Sequence, residues 1–189
     1  MDILDKLKNR EEIYCPIKRN KDISLRFNLY DAFLAKKRFE RFAPFFMEAF
    51  DEIDGPCYYK SDLLKSKLGD ELYLKLDSEL KVAHSVKARG GFNEVMCKVE
   101  DVLKENNMLD KFNELSLDDI RKIMSEYTIE VSSTGNLGLS IGLCAKAFGF
   151  KAKVHMSRDA KDWKKKLLRE AGAEAVSYTH LTLPTTPYV

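Results

Sequence analysis

Lys87 stands in the run Ser85-Val86-Lys87-Ala88-Arg89-Gly90-Gly91. A lysine amine is a nucleophile toward carbonyl carbon and can carry a cofactor as a Schiff base. Each of the paired glycines beside it costs a helix about 1 kcal/mol relative to alanine. Their presence implies that something approaches the backbone closely there, or that a helix packs tightly. Taken alone, the run reads more simply as a capping serine followed by a solvated lysine.

A second stretch, Ser132-Ser133-Thr134-Gly135-Asn136-Leu137-Gly138, follows the strand-like Thr128-Ile129-Glu130-Val131. Hydroxyls and free backbone N–H groups at such a strand-to-helix turn make an anion site. The turn lies at the carboxyl end of a strand, where open α/β sheets bind ligands. It is neither G-x-G-x-x-G nor a P-loop, and its size suits a carboxylate. The plainer alternative is an ordinary turn in which Ser133 or Thr134 caps the helix. A Schiff-base lysine and a carboxylate loop together suit an amino-acid substrate. Pyridoxal phosphate chemistry needs this pair, with the lysine holding the cofactor and the loop choosing which Cα bond is broken.

The elements that must position these residues are legible in part. Residues 1–28 are weakly patterned, with Asp2 as the cap of a short helix through Asn9 and a break at Cys15-Pro16. From Leu29 to Phe50 aromatic residues recur at three- and four-residue steps, which predicts an amphipathic helix, kinked at Pro44, whose aromatic face is core. Ser61 is expected to cap a helix over 62–68 closed by Gly69, and 71–77 to form a strand with Leu72, Leu74 and Leu76 on one side. A helix is expected from about Phe92 to Glu105, and another from Ser116 to about Glu126 with Asp118 and Asp119 in its first turn. Beyond it the order is strand, helix (139–148), strand (151–156), helix (160–171), strand (173–176), which predicts a parallel sheet covered on both faces. His155 and Met156 would then be core.

Composition bounds the function classes. The 189 residues are 44% hydrophobic and 33% charged, which is globular composition, and a net charge of +2 favours neither nucleic acid nor a membrane surface. The four cysteines are scattered without a C-x-x-C pair, which fits a reduced, cytoplasmic protein. The three histidines lack metal-ligand spacing, so no metal site is expected.

Several blocks carry a family resemblance: Leu74-Lys75-Leu76-Asp77-Ser78, the run from Ser85 to Gly91, Ser133-Thr134-Gly135-Asn136-Leu137-Gly138-Leu139-Ser140-Ile141-Gly142, Val154-His155-Met156-Ser157, Asp159-Ala160 and Trp163-Lys164-Lys165. Together with Arg41-Phe42-Ala43-Pro44 they resemble the D-serine dehydratase (D-serine ammonia-lyase) family of fold-type-II pyridoxal-phosphate enzymes, over most of residues 30–175. The resemblance implies an α/β fold of type II, a parallel sheet flanked by helices, with a helical N-terminal extension. It implies that Lys87 bears pyridoxal 5′-phosphate and that Asn136 hydrogen-bonds its phenolic oxygen. Ser133, Thr134 and the amides near Gly135 would hold the carboxylate of D-serine, which is converted to pyruvate and ammonia. Asp77 and Arg89 would form a structural ion pair that orients the site. His84 departs from the family, which favours glycine at that position. Two alternatives stay open: a related lyase or synthase acting on L-serine or L-threonine, and a non-catalytic anion-binding domain.

The chain divides on this reading into a mainly helical region (1–70), an incomplete α/β catalytic region (71–176) and a tail (177–189). Val176 to Thr185 reads as a translated transposon-end sequencing adapter, so the tail is expected to be non-native and disordered. The glycine-rich phosphate loop of fold-type-II enzymes is absent. The chain is therefore expected to be an N-terminal fragment with little activity.

Overall fold

A computed structural model of the chain describes residues 9, 27–67, 69 and 71–178. The expected helix capped by Asp2, the break at Cys15-Pro16 and residues 179–189 lie outside the described residues. Two compact units are distinguished, residues 1–32 and 33–189, and the elements below belong to the second, save the first residues of α1.

Helix α1 (Leu29–Ala49) buries Phe39, Phe42, Ala43, Phe45 and Phe46. The aromatic stripe is core, as its spacing predicts. Phe42 lies 4.8 Å from Phe112 and 5.6 Å from Phe148, and Phe46 stacks on Tyr58 at 4.7 Å and on Phe92 at 5.3 Å between ring centroids. Arg38 Nε pairs with Glu100 at 3.0 Å and fastens α1 to α2 (Lys87–Glu105).

Among the described residues of the segment 62–68, namely 62–67, none is helical. Strand β1 (Leu63–Lys65) pairs antiparallel with β2 (Tyr73–Lys75), Leu64 opposite Leu74. Both strands are exposed along their length, so Leu72 and Leu74 are not buried on a common face. The hairpin also bridges the boundary expected at residue 70. The expected cap is absent as well: the Ser61 hydroxyl donates to Asp77 and accepts from Arg89.

Helix α2 starts at Lys87, five residues before the expected Phe92, so Gly90 and Gly91 are helical. Its buried face runs through Ala88, Phe92, Val95, Met96, Val99 and Leu103, and this burial outweighs the intrinsic cost of the two glycines. A capping box opens α3 (Leu117–Met124): Asp119 N donates to Ser116 Oγ and Ser116 N to Asp119 Oδ2.

The C-terminal part follows the predicted alternation. Strands β3 (Thr128–Ser132), β4 (Lys151–Ser157) and β5 (Glu174–Tyr178) form one parallel sheet in the order β3-β4-β5, separated by α4 (Asn136–Ala147) and α5 (Asp162–Glu170). Gly149 and Gly172, at φ +93° and +80°, end the two helices. Strand β5 extends through Ser177 and Tyr178, two residues into the segment expected to lie outside the fold.

The sheet is not alike on its two faces. Ala152, Val154 and Met156 are buried, and α4 and α5 cover that side, where a Cβ on Gly142 would run into both Val154 and Leu168. The alternate residues Glu130, Lys153 and His155 form a polar face, with Glu130 3.5 Å from Lys153 and 3.6 Å from His155. Coverage of both faces was expected and is not found among the described residues. Met156 is core, but His155, whose side chain is 34% exposed, is not. Period-2 alternation puts the two neighbours on opposite faces.

Candidate active site

Lys87 is exposed, and its amine makes no hydrogen bond or ion pair with the described residues. The loop before it is unusual. Ser85 is buried, and its hydroxyl accepts from Lys87 N at 3.3 Å. Val82 and His84 have φ +70° and +47°. Non-glycine residues in this region carry about 1–3 kcal/mol of strain each. His84 thus occupies a backbone conformation that suits glycine, which is the physical content of its departure from the family pattern. The first turn of α2 has no side-chain cap beyond the long Ser85 contact.

The loop after β3 also begins a helix without a cap. Ser133 N donates to His155 O at 2.9 Å, which extends the β3–β4 pairing by one residue. Gly135 is the N-cap of α4, with no side-chain cap, so neither Ser133 nor Thr134 plays the capping role of the plainer reading. Gly135 N donates instead to Ser133 Oγ at 3.3 Å. The amide near Gly135 expected to bind a carboxylate is therefore already engaged in part. The amides of Thr134 and Asn136 have no acceptor among the described residues. Gly138 lets the loop fold back: a Cβ there would lie 2.5 Å from Ser133 O.

The two loops are brought together by α2 crossing α4. A Cβ on Gly91 would lie 2.9 Å from Ser140 Cβ and 3.3 Å from Ile141 Cγ1. Gly91 is one turn after Lys87, and Ser140 is one turn after Asn136. Both helix starts thus lie within about 6 Å, along their axes, of the crossing. Ser140 is fully buried, and its hydroxyl donates to Asn136 O at 2.7 Å, which ties the crossing to the loop.

The expected ion pair of Asp77 and Arg89 is present at 2.9 Å. Sequence reasoning missed the rest of this network. Arg89 Nε donates to Tyr59 O at 2.8 Å and Arg89 donates to Ser61 Oγ at 3.0 Å, while Ser61 Oγ donates to Asp77 at 2.5 Å. The Arg89 hydrogen bond, then that of Ser61, holds the Asp77 carboxyl below its ordinary pKa. Nothing local to Ser61 marks it as a partner of a residue 28 positions away.

The residues present fit a pyridoxal cofactor on the side that bonds the protein. An unpartnered amine stands at one uncapped helix start, and free amides with the unengaged carboxamide of Asn136 stand at another, each about one turn from the Gly91–Ser140 crossing. An open parallel sheet with such groups beyond its strand ends has the architecture of α/β enzymes that bind small anionic ligands. The chain belongs to the pyridoxal-phosphate dependent enzyme family, which it matches over residues 52–185. Its fold is that of type II. It superposes on holo diaminopropionate ammonia lyase from Escherichia coli with a TM-score of 0.62 at 18% identity, covering 86% of this chain and 39% of that one. The same lyase in complex with D-serine gives a TM-score of 0.57 at 18% identity, over 77% and 35% of the two chains. In sequence the chain is similar to the "Probable D-serine dehydratase" of Carboxydothermus hydrogenoformans, with 41% identity over 94% of this chain and 47% of the relative. The protein of the same name from Desulfitobacterium hafniense is 38% identical over 88% and 41%. The chain thus spans less than half the length of these curated relatives, and the resemblance read from the motifs agrees with them.

Proposed function

We propose that this chain is the lysine-bearing portion of a pyridoxal-phosphate dependent D-serine ammonia-lyase, which converts D-serine to pyruvate and ammonia. The observation that carries the reading is the α2–α4 crossing at Gly91 and Ser140, which lies about one helical turn from Lys87 and one from Asn136. The similarity to proteins named D-serine dehydratase supports the substrate.

When bound, the cofactor supplies an electron sink conjugated to the substrate Cα. Lys87 would hold it through Nζ and, as a free amine, would take the Cα proton. Asn136 would offer its carboxamide N–H to the cofactor's phenolic oxygen. Ser133 Oγ already accepts from Gly135 N, so its O–H is free to donate to the substrate carboxylate. The Thr134 hydroxyl and the amides of Thr134 and Asn136 complete that site. Departure of the β-hydroxyl as water, then hydrolysis, gives a net loss of ammonia from D-serine. Free Cys57, Cys97 and Cys144 support a cytoplasmic location, and no helix of the described residues is long and apolar enough to cross a membrane.

The test is borohydride reduction, with pyridoxal phosphate, of the full-length protein of which this chain is the lysine-bearing portion, followed by peptide mapping. Label is expected on Lys87, and prior D-serine should lower it while L-serine and L-threonine do not. Absence of label on Lys87 overturns the enzymatic reading in favour of a binding module. Equal protection by the L-amino acids moves the assignment to a related lyase.

A further inference from the structure

We infer that Arg89, acting through Asp77 and Ser61, is the positioning residue that sets the direction of Lys87; the inference rests on Lys87 being the cofactor lysine. Arg89 lies two residues after Lys87 in the first turn of α2, so the two side chains leave the helix about 200° apart. Arg89 therefore grips the structure behind the helix while Lys87 points away from it.

What Arg89 grips is the base of the β1–β2 hairpin. Its guanidinium reaches Tyr59 O, Ser61 Oγ and Asp77 Oδ1 at 2.8, 3.0 and 2.9 Å. Ser61 Oγ donates to the same carboxylate oxygen at 2.5 Å. Lys75 donates to Ser61 O, and Leu76 N to Asp62 O at 3.0 Å, so both strands close on this point. The planar fork of arginine suits three acceptors held in fixed directions, and lysine cannot reproduce it.

The other side of the helix start offers little support. The preceding loop holds Val82 and His84 in the left-handed region, and no side chain caps α2 strongly. With a strained loop and an uncapped turn before it, the first turn is held by buried Ala88 on its core side and by the Arg89 clamp. The clamp fixes the turn at the residue two positions from Lys87, and with it the line along which the Lys87 amine projects.

The experiment compares the intact chain with Arg89→Lys, Arg89→Ala and Asp77→Asn. Each is treated with pyridoxal phosphate and borohydride, and the rate of label on Lys87 is divided by that on exposed lysines of the same sample, Lys98 and Lys166. Because unfolding would also draw the ratio toward one, each variant is compared only where its circular dichroism and melting curve match those of the unmodified chain. The ratio is expected to fall by about tenfold to a hundredfold in Arg89→Ala, the loss that a displacement of about 1 Å brings. Arg89→Lys should recover a small part of it, and Asp77→Asn, which keeps the shape of the site, should show an intermediate loss. An unchanged ratio in Arg89→Lys and Asp77→Asn, with the unmodified chain labelling Lys87 normally, overturns the inference alone. No preference for Lys87 in the unmodified chain overturns the cofactor assignment on which it rests.

Discussion

Gly91 and Ser140 touch so closely that a Cβ on the glycine would sit 2.9 Å from Ser140 Cβ. Gly90, its neighbour, has nothing within 4 Å of the same construction. The two glycines therefore answer substitution with opposite signs. Gly90→Ala should stabilise the chain by up to about 1 kcal/mol through helix propensity. Gly91→Ala gains the same propensity, but Ser140 Cβ is fixed to a buried helix and cannot rotate away. Overpacking of about 1–3 kcal/mol wins, and a net loss of about 1 kcal/mol is expected. Urea titration of the two variants checks the contrast; equal shifts would remove the crossing as the reason for the pair.

His84 at φ +47° should respond to backbone rather than to chemistry. Relief of about 1–3 kcal/mol of strain in His84→Gly is offset by glycine's loss of about 0.5–1 kcal/mol in chain entropy. A gain of about 1 kcal/mol is expected. His84→Val, whose branched side chain resists this region, should lose about 1–2 kcal/mol. Thermal melts of both variants measure the difference.

Asp77 makes the stability of the hairpin base pH-dependent. The Arg89 and Ser61 hydrogen bonds lower its pKa in the folded chain. The folded state then holds the proton less tightly than the unfolded one. The contribution is present above the unfolded pKa, about 3.9, and is lost as pH falls through the lowered folded value. The melting temperatures of the parent and Asp77→Asn should differ at neutral pH and converge in acid. A constant difference across that window would show that the carboxylate charge is not involved.

The cysteines should report burial. Cys144 is fully buried and its thiol is pushed up by desolvation, while Cys57 is exposed. A thiol reagent should modify Cys57 in the folded chain and Cys144 only when it unfolds globally. Mass mapping over time resolves the order, and early loss of Cys144 would contradict the packing around α4.

From Ser116 to Tyr178 the order of elements was legible in the sequence. The signals there are local: a capping serine with an aspartate three residues on, small and apolar runs of helical length, glycines at the stops, short apolar strands between. The candidate lysine and the anion loop were legible for the same reason, since each is one contiguous run. In the stretch from 61 to 92 the strand at 71–77 was legible and is found over Tyr73–Lys75, while the segment after Ser61 and the start of α2 were misread. Ser61 looks like a cap, and Gly90-Gly91 looks like a loop, as long as only neighbours are consulted.

The sequence by itself thus determined the class of fold, the family and the two runs proposed to carry the chemistry, because backbone preference and side-chain period act over a few residues. Tertiary structure alone decided that 63–65 is a strand, that Gly91 packs on Ser140, and that the Asp77–Arg89 pair also holds Ser61 and Tyr59 O. The last outcome depends on contacts across 16, 28 and 30 positions of chain. A hydroxyl or a missing Cβ is worth about as much energetically as the local preference it overrides, so the winner is settled only when the distant partner is in place.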